Sequence, residues 1–135
     1  MVILVSACLA GINCNYRGTN NENQAVVELV KSGQAIAVCP EQLCGLPTPR
    51  PPAEIRNGRV FAENGDELTE AFMRGAQETV RIAEKYGCKK AIIKSNSPSC
   101  GSGTIRSGHF DGALVEGDGI TASLLKKHGI KVNSL

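Results

Sequence analysis

The stretch AIIKSNSPSCGSG, residues 91–103, sets the reading of the whole chain. A short β-branched run ends in a lysine. The chain then turns almost wholly to Ser, Asn, Pro and Gly around one thiol, Cys100. A continuous apolar run this short, bounded by turn residues, is a strand buried on both faces, as in a parallel sheet. The segment after Lys94 is too polar and too rich in turn residues to be core. The same punctuation occurs twice earlier. VILVSAC (2–8) and AIAVC (35–39) are also short apolar runs that end at a cysteine, Cys8 and Cys39. In parallel α/β sheets, ligands lie beyond the carboxyl ends of the strands. Three such ends, each carrying a thiol, are therefore expected on one edge of one sheet.

The segments between them fit that sheet. Residues 24–31 have helical periodicity, with Asn21 or Asn23 as N-cap and Gly33 as the stop. Asn57-Gly58, flanked by 54–56 and 59–62, is a strong hairpin signal. Residues 69–86 form the long helix, with Phe72, Ala76, Val80 and Ala83 on one face and Gly87 at its end. Residues 121–127 make a further helix stopped by Gly129, and 130–132 a last strand. A strand or extended piece is expected over 109–115. The proline-rich stretch CPEQLCGLPTPRPP (39–52) is expected to hold neither a helix nor a central strand. The order of elements argues for an α/β fold with a mostly parallel sheet and a small β-hairpin.

With 135 residues the chain is expected to form one domain, 1–135, with a single core. No run approaches the roughly 20 apolar residues that span a bilayer. The first residues, MVILVS, lack a basic n-region, so they read as a strand and the expected location is cytoplasmic. A net charge of +2 with mixed signs and no Lys/Arg block argues against a nucleic-acid polymer as partner. Tryptophan is absent and aromatics are scarce, which argues against a base-stacking strip for single strands. The partner expected is a small molecule.

Six cysteines are many for such a chain. In a reducing compartment, thiols gathered in loops point to metal binding or catalysis more than to disulfides. A free cysteine is also often no more than a small buried apolar residue, which is the simplest reading of Cys88. For Cys8, Cys39 and Cys100, each at a strand end, a three-thiolate metal site is the sharper reading. Spacing does not choose between an iron–sulfur cluster, zinc and copper(I), since neither a CxxC pair nor the short ferredoxin run is present. Cys14, in the loop after Cys8, is a further candidate ligand or redox partner, and Cys44 lies near the site without an assigned role. Glu41, two residues past Cys39, is the carboxylate best placed for general acid–base work. Ser97 and Ser99 serve either turn chemistry or substrate hydrogen bonding. His109, His128, Arg50 and Arg56 read as surface residues, the arginines with an anion-binding alternative.

At these residues the chain resembles a known family. SACLAGINCNYRG (6–18), CPEQLCGLPTPRPPAEI (39–55), SNSPSCGSGTI (95–105) and GDGITASLL (117–125) are similar, in order, to the motifs of the DUF523 family, whose members include thiouracil desulfurases. The resemblance covers nearly the whole chain. It implies a Rossmann-like three-layer α/β domain and a [4Fe–4S] cluster held by three cysteines, here Cys8, Cys39 and Cys100. It also places the catalytic carboxylate on Glu41 and the motif serine on Ser97. The implied reaction is non-redox desulfuration of a small thiolated base, from thiouracil to uracil with release of sulfide. The chain departs from the motifs at Ala10, Arg17 and Cys44, where members often carry Leu, Asp and Gly. Two other classes stand beside this one: a metal or iron–sulfur module without catalysis, and a metal-free enzyme using Cys8 or Cys100 as nucleophile.

Overall fold

The computed structural model describes residues 2–135. Strand β1 (Ile3–Ser6) runs into a single 3-10 turn (Ala7–Ala10). Helix α1 (Gln24–Lys31) returns the chain to β2 (Ala35–Val38), which leads directly into a short helix, α2 (Pro40–Leu43). Next in the chain is a hairpin, β3 (Ala53–Arg56) and β4 (Arg59–Ala62). After it come helix α3 (Thr69–Lys85) and β5 (Lys90–Ile93). The last part comprises β6 (Thr104–Arg106), β7 (Leu114–Glu116), α4 (Ile120–Lys127) and β8 (Lys131–Ser134).

Strands β2, β1, β5 and β8 make one sheet in that order, with every neighbouring pair parallel. Alternation along the strands sends side chains to two cores. Leu4, Val38, Ala91 and Ile93 pack with Val80 and Ala83 of α3 and with Ala122 and Leu125 of α4. Val5, Ala35 and Ile92 pack on the other face with Val26 and Leu29 of α1. Helices therefore cover both faces, and the architecture is the three-layer, Rossmann-like one expected. The two hairpins, β3–β4 and β6–β7, stand apart as separate antiparallel pairs.

Local signals explain most boundaries. The Asn23 side chain accepts from the Val26 amide and caps α1. Asn57 and Gly58 both have positive φ, as a two-residue hairpin turn requires. Two expectations fail. The proline-rich stretch does hold a helix, because Pro40 occupies its first turn, where a missing N–H costs nothing. Residues 109–113 are not strand. Only Leu114–Glu116 is, and it pairs with β6, a strand that the sequence pattern does not announce.

Glycine at position 75 allows a close approach of α2 to α3. A Cβ there would lie 2.2 Å from the Pro40 carbonyl oxygen. The bare backbone of α3 is thus the seat of α2, and α2 carries the residues that come after β2 into the site.

Candidate active site

The loops after β1, β2 and β5 meet, as the strand-end rule anticipates. They line a cavity of about 590 Å³ whose wall includes Cys8, Cys14, Cys39, Cys100, Glu41 and Ser97. All six cysteines are free thiols. Cys8 lies within the 3-10 turn, and its carbonyl accepts from the Gly11 and Asn21 amides at 3.2 and 2.9 Å. Cys39 is the residue before the first turn of α2. Its Sγ lies 3.7 Å from the Cys14 carbonyl oxygen.

Cys100 is placed by its own motif. The Ser97 hydroxyl oxygen accepts from the amides of Ser99 and Cys100, both at 3.0 Å. The Pro98 and Ser99 carbonyls in turn accept from the Ile120 and Thr121 amides, each at 2.9 Å, so the loop satisfies the open N–H groups at the start of α4. The buried hydroxyls of Ser99 and Thr121 meet at 2.9 Å. Gly119 lets this happen, since a Cβ there would stand 2.4 Å from the Ser99 carbonyl. The turn reading of Ser97 holds, since its oxygen fixes the start of the Cys100 segment, and the residue also lines the cavity.

Cys14 occupies the middle of the thiol group. Hydrogen bonding with Cys14 pulls Cys8 down to about 6 and Cys39 to about 7, while Cys14 itself is pushed far up. Lys94, at the end of β5, adds to the effect on Cys8. Burial pushes Cys100 up to about 12, against a hydrogen bond from Ser6. Cys8 and Cys39 are thus biased toward thiolate and Cys100 toward thiol. Among the described residues, no three His, Cys, Asp or Glu side chains form a ready cage for a single metal ion. The donor set is soft, drawn from three separate elements, and spread around a cavity. Soft donors of this kind suit an iron–sulfur cluster, zinc or copper(I).

Glu41 sits in the first turn of α2 and faces the cavity beside Arg50. The Arg50 Nε lies 3.0 Å from Oε1 of Glu41, with side-chain exposures of 5% and 17%. The arginine is therefore not on a solvated face. It donates further to the Cys14 carbonyl at 2.9 Å, the Pro47 carbonyl at 3.2 Å and the Thr48 hydroxyl at 3.0 Å. One planar fork joins the catalytic-candidate carboxylate to the loop of Cys14 and to the proline-rich loop. Position 50 in sequence carries no sign of this burial. Arg56, by contrast, is exposed as expected, with its guanidinium donating twice to the Gly108 carbonyl.

Other candidates fall away from the site. The Cys44 thiol donates to the Glu41 carbonyl at 3.0 Å and lies against α3, outside the cavity lining. Cys88 is buried in the core between the sheet and α3. His109 is exposed. His128 comes directly after α4, with Nδ1 3.3 Å from Glu84.

The fold and the thiol-lined strand edge define a parallel α/β protein built to hold a soft-metal cofactor next to a small-molecule cavity. The sequence profile of the 2-thiouracil desulfurase family matches residues 3–134, and the chain belongs to that family. It is 43% identical to a solved structure, a [4Fe-4S]-dependent thiouracil desulfidase called TudS. That match has a TM-score of 0.93 and covers 98% of this chain and 89% of the other. It is also 41% identical over 143 residues to YbbK of Bacillus subtilis strain 168, a protein of uncharacterised function, with 98% of this chain and 95% of the relative covered.

Proposed function

We propose that this protein is a thiouracil desulfurase that replaces the thiocarbonyl sulfur of a small thiolated base with oxygen, using a [4Fe-4S] cluster held by Cys8, Cys39 and Cys100. The observation that carries the reading is the meeting of these three thiols with Glu41 and Ser97 in one cavity, in a chain 43% identical to a [4Fe-4S]-dependent desulfidase. Cys8, Cys39 and Cys100 would hold the cluster, which when bound would supply a Lewis acid for the thiocarbonyl sulfur.

The rest falls to this chain's own side chains. Water adds oxygen to the ring carbon, the carbon–sulfur bond breaks, and sulfide leaves with the protons of the water, so no electrons are exchanged. Arg50 holds Oε1 of Glu41, while Oε2 takes no hydrogen bond from the described residues. Oε2 is thus the oxygen that accepts the proton of the attacking water. Ser97 turns its remaining O–H toward the ring edge. Cys14 serves as the common hydrogen-bond donor to two ligand sulfurs rather than as a ligand.

A cavity of about 590 Å³ is of the size that encloses small molecules. Net charge +2 offers little grip on a polynucleotide, whose binding rests on many phosphate contacts. Free thiolated bases are accordingly the proposed substrates, and the cytoplasm, where thiols stay reduced, the proposed location. Among the described residues no helix is long and apolar enough to cross a membrane.

The test is anaerobic reconstitution with iron and sulfide, and then sulfide release from 2-thiouracil, 4-thiouracil, their nucleosides and thiolated tRNA at one salt concentration. Release is expected from the free bases and only with iron-loaded protein. Turnover by iron-free protein, blocked by alkylation, would point instead to a thiol nucleophile. Faster release from tRNA would overturn the assignment of substrate.

A further inference from the structure

Three consecutive residues of β3 grip one loop, Ser107 to Ala113. Glu54, buried at 7% exposure, accepts from the amides of Gly108 and Phe110 through the same oxygen, at 2.9 and 3.1 Å. The Ile55 carbonyl presses on Gly108, where a Cβ would sit 2.3 Å away. Arg56 donates to the Gly108 carbonyl at 3.1 and 2.9 Å. The loop also closes on itself, with Ser107 N–H donating to the Ala113 carbonyl at 2.9 Å.

This clamp holds Phe110 at a φ of +55°. A bulky residue with positive φ is strained, and such strain persists only when the surroundings enforce it. A buried carboxylate is an expensive way to enforce it unless the result is useful. What it achieves is an aromatic ring, half-buried, in the wall of the cavity that holds Cys8, Cys39, Cys100 and Glu41. The chain has only three Phe and two Tyr. Tyr16 also lines the cavity, but the Arg17 guanidinium already lies over its ring, 5.3 Å from the centroid, and bonds its hydroxyl. Phe110 is the aromatic with both a fixed backbone and a place at the cavity.

We propose that Phe110 is the platform on which the flat face of the heterocycle stacks, and that Glu54 is a positioning residue acting through it. The choice of a planar thiolated base as ligand rests on the desulfuration reading; the clamp and its ring do not. Hydrogen bonds at the ring edge cannot by themselves fix the ring plane, and a single aromatic wall does so for any flat base.

The expected pattern separates recognition from scaffold. Phe110→Leu and Phe110→Gly should each raise KM for 2-thiouracil about tenfold, the order expected for losing one base–aromatic stack, with kcat little changed. Phe110→Gly also relieves the positive φ, so its Tm should not fall. Glu54→Leu should raise KM as Phe110→Leu does. Glu54→Gln, which keeps an acceptor oxygen, should recover most of it. The double variant Glu54→Leu/Phe110→Leu should be no worse than the worse single.

The chain has no tryptophan, so Phe110→Trp creates a single emission probe. Its emission should be quenched saturably by 2-thiouracil, and far less by a saturated, non-planar analogue, in cluster-free protein as well as loaded. If the parent protein releases no sulfide while this quenching is seen, desulfuration fails and stacking stands. If the parent turns over but KM is unmoved in both Phe110 variants, or the probe is silent, the stacking proposal is overturned. A Tm that falls in step with the rise of KM in Phe110→Gly would likewise overturn it, since a structural role alone would then account for both.

Discussion

The floor and the wall of the cavity are built by different means. On the floor, Cys8, Cys39 and Cys100 stand where strands of one parallel sheet end. Their positions result from backbone pairing and from turns that satisfy helix ends. The wall segment around Phe110 is held by a different part of the fold. It is attached through side chains of a separate hairpin, by a carboxylate, a guanidinium and one glycine contact. Topology places the chemistry, and side-chain clamps place the recognition surface. Changes on the floor should therefore abolish the cofactor or the reaction, while changes in the wall should alter which ligand is held and how tightly.

The sharpest break is Cys39→Ser. A hard hydroxyl is a poor iron ligand, so iron content after reconstitution and sulfide release should both fall to background. Cys14→Ser keeps a hydrogen-bond donor and should retain most of its iron. If it loses iron as Cys39→Ser does, Cys14 is a ligand and its role as donor is wrong.

Next is Glu41→Gln. Cluster absorbance should survive while turnover falls by about 10²–10⁴-fold, the usual share of one acid–base group. Loss of iron in this variant would make Glu41 a ligand or a scaffold residue.

Arg50→Ala strands Glu41 in a largely buried position. Removing one partner of such a pair destabilises by roughly 3–5 kcal/mol, which denaturant unfolding of the iron-free protein would measure. Arg50→Lys keeps the charge and loses the fork, so it should recover stability better than turnover.

A smaller effect is expected from Gly75→Ala. The added methyl meets the Pro40 carbonyl, and overpacking of this kind costs roughly 1–3 kcal/mol. Because α2 must shift, iron retention should weaken along with Tm. Unchanged stability would mean that α2 is not seated on α3 as described.

Much of the fold is legible in the sequence because its signals are local. Apolar runs of buried strands, the Asn23 cap, the Asn57-Gly58 turn and the spacing of Phe72, Ala76, Val80 and Ala83 depend only on neighbours in sequence. Pro40 misleads because proline both ends helices and begins them, and only the chain before it decides which. β6 is hidden because three residues with one buried side chain, Ile105, carry almost no periodicity. The residues that line the floor can be gathered from sequence since strand ends share an edge. Arg50 cannot be placed, because nothing in PTPRPP shows that a guanidinium is enclosed by two loops. Glu54 and Phe110 escape sequence reasoning for the same reason. Their contact spans more than fifty residues and depends on how a hairpin lies against a loop.

The distribution of the floor thiols along the chain has a temporal consequence. Cys8 and Cys39 are joined by the early β1–β2 pair, but Cys100 arrives only after β5 has docked beside β1. On the proposed assignment, a nascent chain carries two of the three thiols from residue 39 until residue 100 has been made, without a site to put them in. If these three thiols hold the cofactor, its insertion waits until the long α3 has been made and β5 has joined β1. Folding thus comes before maturation, and iron uptake should trail the gain of secondary structure when the two are monitored together during refolding.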